Sequence, residues 1–569
     1  MPKPTPSRLH AGSPLARAAL AVAGIAGAAL VVACNPSTST SPVPTDAQDA
    51  CPLSSSTFAS WFEGGTVTAN GVVNPANSLD PLTPNCDFYE WTEHMFLWLN
   101  SPAPVTYGGG GGRIFTSPTF FDVSPIQPDG NRVFIKHQEG VVPNFNVRTA
   151  QVGALGLPVV VDRFHTLFNV EPAPPEATPQ VRNVDGRMVD IAHARRGEKG
   201  ELVLLDSAGN VIRPQVVRSD DLQITSVEQL RKELVARKFI VDRIPVFIAL
   251  SGGLVEVEQG QSDGGVLEAQ KRSLVYYETS VNDVFAYFDT GFNDGAFSPV
   301  PTHFPTTAAE LQQVTSFAHA NGKTLPDSVA LAIEVKTAWV KADGLADLDT
   351  YVTRTATIPT YDRSNPDEWV PNGQQTVKLA MVAMHVVGSV AQHPEMIWAT
   401  FTHVGTTPSA SYDYNSSSGV KTVPQSTSGT WLLSATGATG PFNEPHMSQP
   451  SNSPNIEAIA PHSISPSNTL RLEPWGKPGS SATSNTEVIS MNDHVLGMLA
   501  SGDVRKNYVM IGATWTIPGQ APPSGQVGTN QLANTTMETY QQGGNCFSCH
   551  VTSTPDVSHV FRDSILALF

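Results

Sequence analysis

The pentapeptide CFSCH, residues 546–550, constrains this chain more than any other stretch, because its spacing and its position both carry information. Cys546 and Cys549 are three apart and His550 follows directly. Two thiols at that separation match the two vinyl groups of a haem, and a histidine placed next can reach the iron. The pattern reads as the attachment site of one covalent haem c, with His550 as proximal axial ligand. Rival readings fit the context less well. A thioredoxin-like dithiol opens a helix after a strand, whereas CFSCH follows QQGGN and what reads as a polar helix. A structural zinc site needs two further ligands, usually a second C-x-x-C or an H-x₃₋₅-H, and neither pattern is present.

Position adds a second constraint. Only 19 residues follow His550 (569 − 550), too few to build a small cytochrome domain around the group. The pocket is therefore expected to be completed from upstream, with the sixth ligand imported from the body or absent. His559 lies nine residues on, far enough to loop round a haem edge at about 3.3 Å per residue; as a surface histidine it would need no role. Met537, on the expected polar helix, reads as a packing residue or a ligand. His385 and His403 lie in two apolar stretches, 377–387 and 396–404, which read as strands of a hairpin linked by eight residues including Gly388 and Pro394. Period-2 alternation puts Leu379, Met381 and His385 on one face, and Ile397, Phe401 and His403 on one face of the second strand. Each histidine is either a satisfied core residue or a pocket residue. His385 is the candidate distal ligand.

At the other end, Lys3, Arg8 and Arg17 precede an uncharged apolar run over residues 18–33. Sixteen residues are short for a bilayer span and suit an export signal. The run ends in Val31, Val32, Ala33 and Cys34, a pattern that resembles a bacterial lipobox. Three acyl chains on Cys34 would give stable anchoring; a plain signal peptide or an uncleaved anchor helix are the alternatives. Asn35 rather than an aspartate favours an outer membrane, facing the periplasm or the cell surface. Export implies an oxidising compartment. With Cys34 lipidated and Cys546 and Cys549 on haem, the remaining pair, Cys51 and Cys86, is expected to form a disulfide.

The chain has 569 residues, 40% hydrophobic and 15% charged, so it can bury a large core. With 45 glycines and 46 prolines it favours turns and short strands over long helices. The fold class is expected to be mostly β, an α+β body with a small helical C-terminal haem c segment. The organisation read from the chain is a signal peptide over 1–33, a tether over 34–85, β-rich regions over 86–300 and 301–525, and a haem-binding segment over 526–569. Helices are expected in residues 85–102, with Phe88, Trp91, Met95 and Trp98 on one face, in 226–239 behind a Ser226/Gln229 capping box, and in 307–323. Residues 272–288 and 332–342 read as strand-rich, and 405–485 as long loops. With 34 basic against 51 acidic residues, clustered cations for nucleic acid are missing. The glycine run 108–112 lacks the strand–loop–helix context of a phosphate cradle, and nucleophile-elbow and zinc-protease motifs are absent.

Three stretches, HPEMIWATFTHV (393–404), LANTTMETYQQ (532–542) and CFSCH, together resemble a family of large, exported bacterial proteins with one C-terminal haem motif, the cytochrome c family proteins. The resemblance covers roughly residues 270–569, with a weaker echo in residues 88–102. Only the motif carries residue roles across, and no substrate is implied. Three functions stay open. One is an electron carrier with a redox partner in the cell envelope and a lipid-anchored tether. Another is a haem enzyme of the peroxidase or oxygenase kind with an open distal site. The third is a β-rich binding module whose haem is structural or sensory.

Overall fold

The computed structural model describes residues 43–108, 111–124, 132–137 and 142–146, a set of strands and short links between 159 and 256, and 265–568 apart from 438–439, 451–452, 454, 477–480, 552–556 and 563–564. The apolar run 18–33, Cys34 and the expected helix at 226–239 lie outside the described residues. Among the described residues, no helix is long and apolar enough to cross a membrane. Residues Pro42–Phe569 form one compact unit.

The body is mostly β with several helices, as its many turn residues and few long helical patterns lead one to expect. Its centre is a 14-stranded sheet. In chain order its strands are β1 (Phe120–Val123), β2 (Arg132–Lys136), β3 (Asn144–Asn146), β4 (Leu254–Glu256), β5 (Tyr276–Asn282), β6 (Ile333–Lys341) and β7 (Thr353–Asp362). They continue with β8 (Glu368–Val390), β9 (His393–His403), β10 (Met447–Ser448), β11 (Ile456–Ala458), β12 (Tyr508–Thr516), β13 (Gln526–Gly528) and β14 (Ile565–Leu566). The main path runs β4-β3-β7-β8-β6-β5-β1-β2-β14, and β9 joins β8 to β12. Strands on both sides of residue 300 thus share one sheet. Small antiparallel sheets occupy the 159–250 stretch, including the strand–turn–strand pair Leu202–Leu205 and Val211–Ile212.

The first described helices, α1 (Ser55–Trp61) and α2 (Asn85–Leu99), lie on one face of the sheet. The stripe Phe88, Trp91, Met95 and Trp98 is buried, as helical spacing requires. Phe96 stacks on Phe401 and Phe88 on Trp515, each pair at 4.0 Å between ring centroids. Gly388 permits this approach: a Cβ there would lie 2.8 Å from the Trp91 ring. Cys51 is disulfide-bonded to Cys86, which ties the segment before α1 to the first turn of α2. The other face carries α3 (Asp283–Asn293), α4 (Ala308–Ala320) and the C-terminal segment. Asn282 explains why the strand pattern at 272–288 turns helical halfway. Its side chain accepts from Phe285 N–H and so caps α3, and aliphatic and aromatic residues beyond it follow the helical period. Thr307 and Glu310 form the capping box that opens α4. The last long helix, α5 (Ala482–Met498), packs beside α2.

The β8–β9 hairpin forms, with two corrections. Its turn is Ala391 and Gln392 only, and His393 and Pro394 already belong to β9. The alternation through 379–385 is also broken. Ala338 pairs with Ala383 but Trp339 with Met381, so Val382 is an extra residue that reverses the side-chain parity. Leu379 and Met381 therefore face α2, whereas His385 faces the C-terminal segment.

Candidate haem-attachment site

The C-terminal segment reaches the sheet through polar anchors. Asn534 Nδ2 donates to Thr400 Oγ1 (2.8 Å) and to the Phe401 carbonyl (3.1 Å) on β9. Tyr277 Oη donates to the Thr536 carbonyl at 2.6 Å. Met537 is buried against the small side chains of β6 and β8, and so packs as a core residue. The polar helix expected before QQGGN is a series of turns ending in a short 3₁₀ turn, Thr539–Gln541. Proline-free but rich in Asn and Thr, residues 532–536 satisfy their backbone through their own side chains, as in Thr536 N–H to Asn534 Oδ1.

The motif itself forms a second 3₁₀ turn, Cys546–Ser548. The N–H groups of Cys549 and His550 both point at the Cys546 carbonyl, at 3.2 and 2.9 Å. Phe547 is fully buried among Val387, Met396 and Trp398 of the sheet and residues of α3. It pins the turn so that Cys546 is half-buried and Cys549 exposed. Both thiols are free. Burial pushes the Cys546 thiol well above its ordinary range, with the Glu538 carboxylate adding to the effect. A reactive redox dithiol needs the opposite shift.

His550 is the centre of the site. Its Nδ1–H donates to the Val557 carbonyl at 2.5 Å, which leaves the Nε2 lone pair as the free donor. One ring face lies 4.0 Å from Trp398, and His559, the first residue of α6 (His559–Arg562), stacks on His550 at 4.0 Å. Burial first, then His559 and to a smaller extent Lys336 and His385, lower the imidazole's pKa to about 3, against the Val557 carbonyl, which raises it. The ring is thus neutral. The segment is closed at its far end by Ser558, whose hydroxyl donates to Glu334 at 2.6 Å, and by β14, which pairs with β2.

His385 stands opposite Lys336 in the β6–β8 register and its Nε2 is 3.0 Å from Glu538 Oε1. Burial works to raise the Glu538 carboxyl, but His385, Lys336 and the Asn534 N–H outweigh it and hold it ionised. Lys336, His385 and Glu538 therefore form a charged group whose field reaches Cys546 and His550. His403 faces away: it is buried between Tyr351, stacked at 3.7 Å, and Tyr508. Its Nδ1 accepts from Gly405 N–H, and burial lowers its pKa to about 3. It is a satisfied core histidine.

The residues at the motif suit a covalent haem on the chemistry of their donors: two free thiols three apart, and a neutral imidazole whose second nitrogen is held by a carbonyl. Metal-bound histidines are commonly oriented in that way. The motif's three donors do not converge on one point as zinc ligands would. Among the described residues, the one group of three or more close His, Cys, Asp or Glu donors is Asp122, His137 and Glu278. That group, Lys336 and Glu538 escaped the sequence reading. The available signal was a carboxylate inside an apolar strand, as in FFDV (120–123) and YYETSV (276–281). No family model, curated protein or solved structure matches this chain.

Proposed function

We propose that this chain is a monohaem c-type cytochrome of the cell envelope, anchored by lipid on Cys34, that exchanges single electrons with a partner protein. One haem c would join Cys546 and Cys549 through thioether bonds, with His550 as proximal ligand. The observation that carries the reading is the bond from Nδ1–H of His550, the histidine of CFSCH, to the Val557 carbonyl, which presents Nε2 as a neutral donor. Bound there, the iron supplies a reversible one-electron couple.

The chain's own residues do the rest. The Val557 carbonyl fixes the His550 tautomer, and Phe547 and Trp398 keep water from the sheet side. Exposed Cys549 places the edge of the motif at the surface, where a partner can approach. Two imidazoles are candidates for the sixth position. His559 would have to leave its stack on His550, and His385 would have to give up or share its bond to Glu538. A haem enzyme is the second reading, favoured by the charged Lys336–His385–Glu538 group beside the motif.

Optical spectra of protein matured by a cytochrome c assembly system, with and without carbon monoxide, separate the two. The carrier reading expects sharp low-spin bands that carbon monoxide leaves unchanged in wild type, and high-spin bands in whichever of His385→Ala and His559→Ala removes the second ligand. A high-spin wild type whose reduced spectrum shifts with carbon monoxide would instead establish the open-site reading.

A further inference from the structure

Asp122 on β1, His137 just past β2 and Glu278 on β5 come together from three adjacent strands. Asp122 pairs with Ser280, two residues from Glu278 and on the same face, and the His137 N–H donates to the Phe120 carbonyl, two residues from Asp122. All three side chains are buried, with 0%, 7% and 2% of the residue exposed. Their ligand atoms lie within 4.8 Å of one another, and His137 Nε2 is 2.6 Å from Asp122 Oδ1. The Arg354 guanidinium holds Glu278, and the Thr337 hydroxyl donates to Glu278 Oε2 at 3.3 Å. Thr337 alternates along β6 with Lys336, so this group faces the side of the sheet away from the haem motif.

Read as two ion pairs, Asp122–His137 and Glu278–Arg354, the arrangement is incomplete. Asp122 Oδ2 and His137 Nδ1 are buried with no hydrogen-bond partner among the described residues. Buried polar atoms are seldom left so. The two carboxylates are both buried, with ligand oxygens within 4.8 Å of one another, and so repel when ionised. One divalent cation between the groups would balance two carboxylates and remove that repulsion.

We propose that Asp122, His137 and Glu278 form a site for a single divalent transition-metal ion, zinc or manganese, that ties β1, β2 and β5 together. One imidazole with two carboxylates suits these ions, whereas a calcium site would be built of oxygen alone. Arg354 and Thr337 would act as outer partners that orient Glu278. The inference stands independently of the haem.

The test is metal content. Full-length protein is stripped with EDTA, reloaded with Zn²⁺ or Mn²⁺, desalted and measured by mass spectrometry of the elements. The expected result is about one equivalent beyond any haem iron, with the thermal midpoint raised by several degrees. Asp122→Asn and His137→Gln should each weaken binding at least tenfold while leaving the far-ultraviolet circular dichroism unchanged. Should either variant fail to fold, ¹¹³Cd resonance of the Cd²⁺-loaded wild type decides, since nitrogen and oxygen ligands resonate far from thiolates. A wild type that retains no divalent ion, variants that bind as tightly as wild type, or a thiolate-type cadmium signal would each overturn the proposal.

Discussion

Two ion pairs set the faces of the central sheet apart. Beside α2, Arg505 and Asp503 are both fully buried, with a 2.6 Å contact, and Arg505 also donates to the carbonyls of Gly71 and Leu97. On the other face, His385 and Glu538 meet at 3.0 Å with their side chains 19% and 25% exposed. The first pair is a fastener. Each guanidinium nitrogen has an acceptor, and the surroundings are the aromatic core of α1, α2 and β12. The second sits where the core thins to short turns, and it acts through its field on Cys546 and His550. The difference teaches where chemistry can be placed in this fold. One face is packed for stability; the other keeps charge, water access and short secondary structure next to the motif.

Removing one member of each pair should expose the contrast. Asp503→Asn leaves Arg505 buried without its counter-charge and is expected to cost about 3–5 kcal/mol of unfolding free energy in a urea titration. A loss under about 1 kcal/mol would mean that this face is no better sealed than the other. Next in size is the staple at its entrance. Replacing Cys51 and Cys86 together by serine should cost about 3–4 kcal/mol, from the loop the disulfide closes, and leave the optical spectrum untouched.

Glu93 sharpens the comparison through pH. It is buried on α2 with one carboxylate oxygen unpartnered, and burial pushes its pKa up to about 8. In the unfolded chain its pKa is about 4.3. The folded state therefore binds the extra proton between those values, and stability falls as pH rises from about 4 to 8. Glu93→Gln should be near neutral at pH 5 and stabilising by a few kcal/mol, in order of magnitude, at pH 9. Thermal midpoints at both values check it, and equal offsets would refute it. The smallest effect belongs to the open face: Glu538→Gln should change global stability by less than about 1 kcal/mol. It should nonetheless shift the optical or redox properties of the motif, whereas Asp503→Asn should not.

Much of this was readable before any coordinates. The α2 stripe, the helix within 307–323, the Cys51–Cys86 pairing and the β8–β9 hairpin all follow from local periodicity and from counting cysteines. What failed did so for identifiable reasons. The bulge at Val382 reverses parity because its cause is the register with β6, some forty residues earlier in the chain. The helix after Asn282 depends on a side-chain cap that a strand-like composition masks. Asp122, His137 and Glu278 come from two strands and the residue just past a third, with the first and the last 156 positions apart (278 − 122), and nothing local marks them as neighbours. CFSCH stood out as a pattern because its residues are contiguous in the chain. Its surroundings, Lys336, Glu538 and Trp398, were not, since long-range pairing brings them there.

The most direct test of the central claim is the alkaline pyridine haemochrome of matured wild type and of Cys546→Ser/Cys549→Ser, read with the intact mass of each. The account predicts one haem per wild-type chain, resistant to acid–acetone extraction, with a thioether-type spectrum and a mass higher by one haem, and no covalent haem in the variant. Wild-type protein that is colourless after maturation, or whose haem extracts completely, would contradict it.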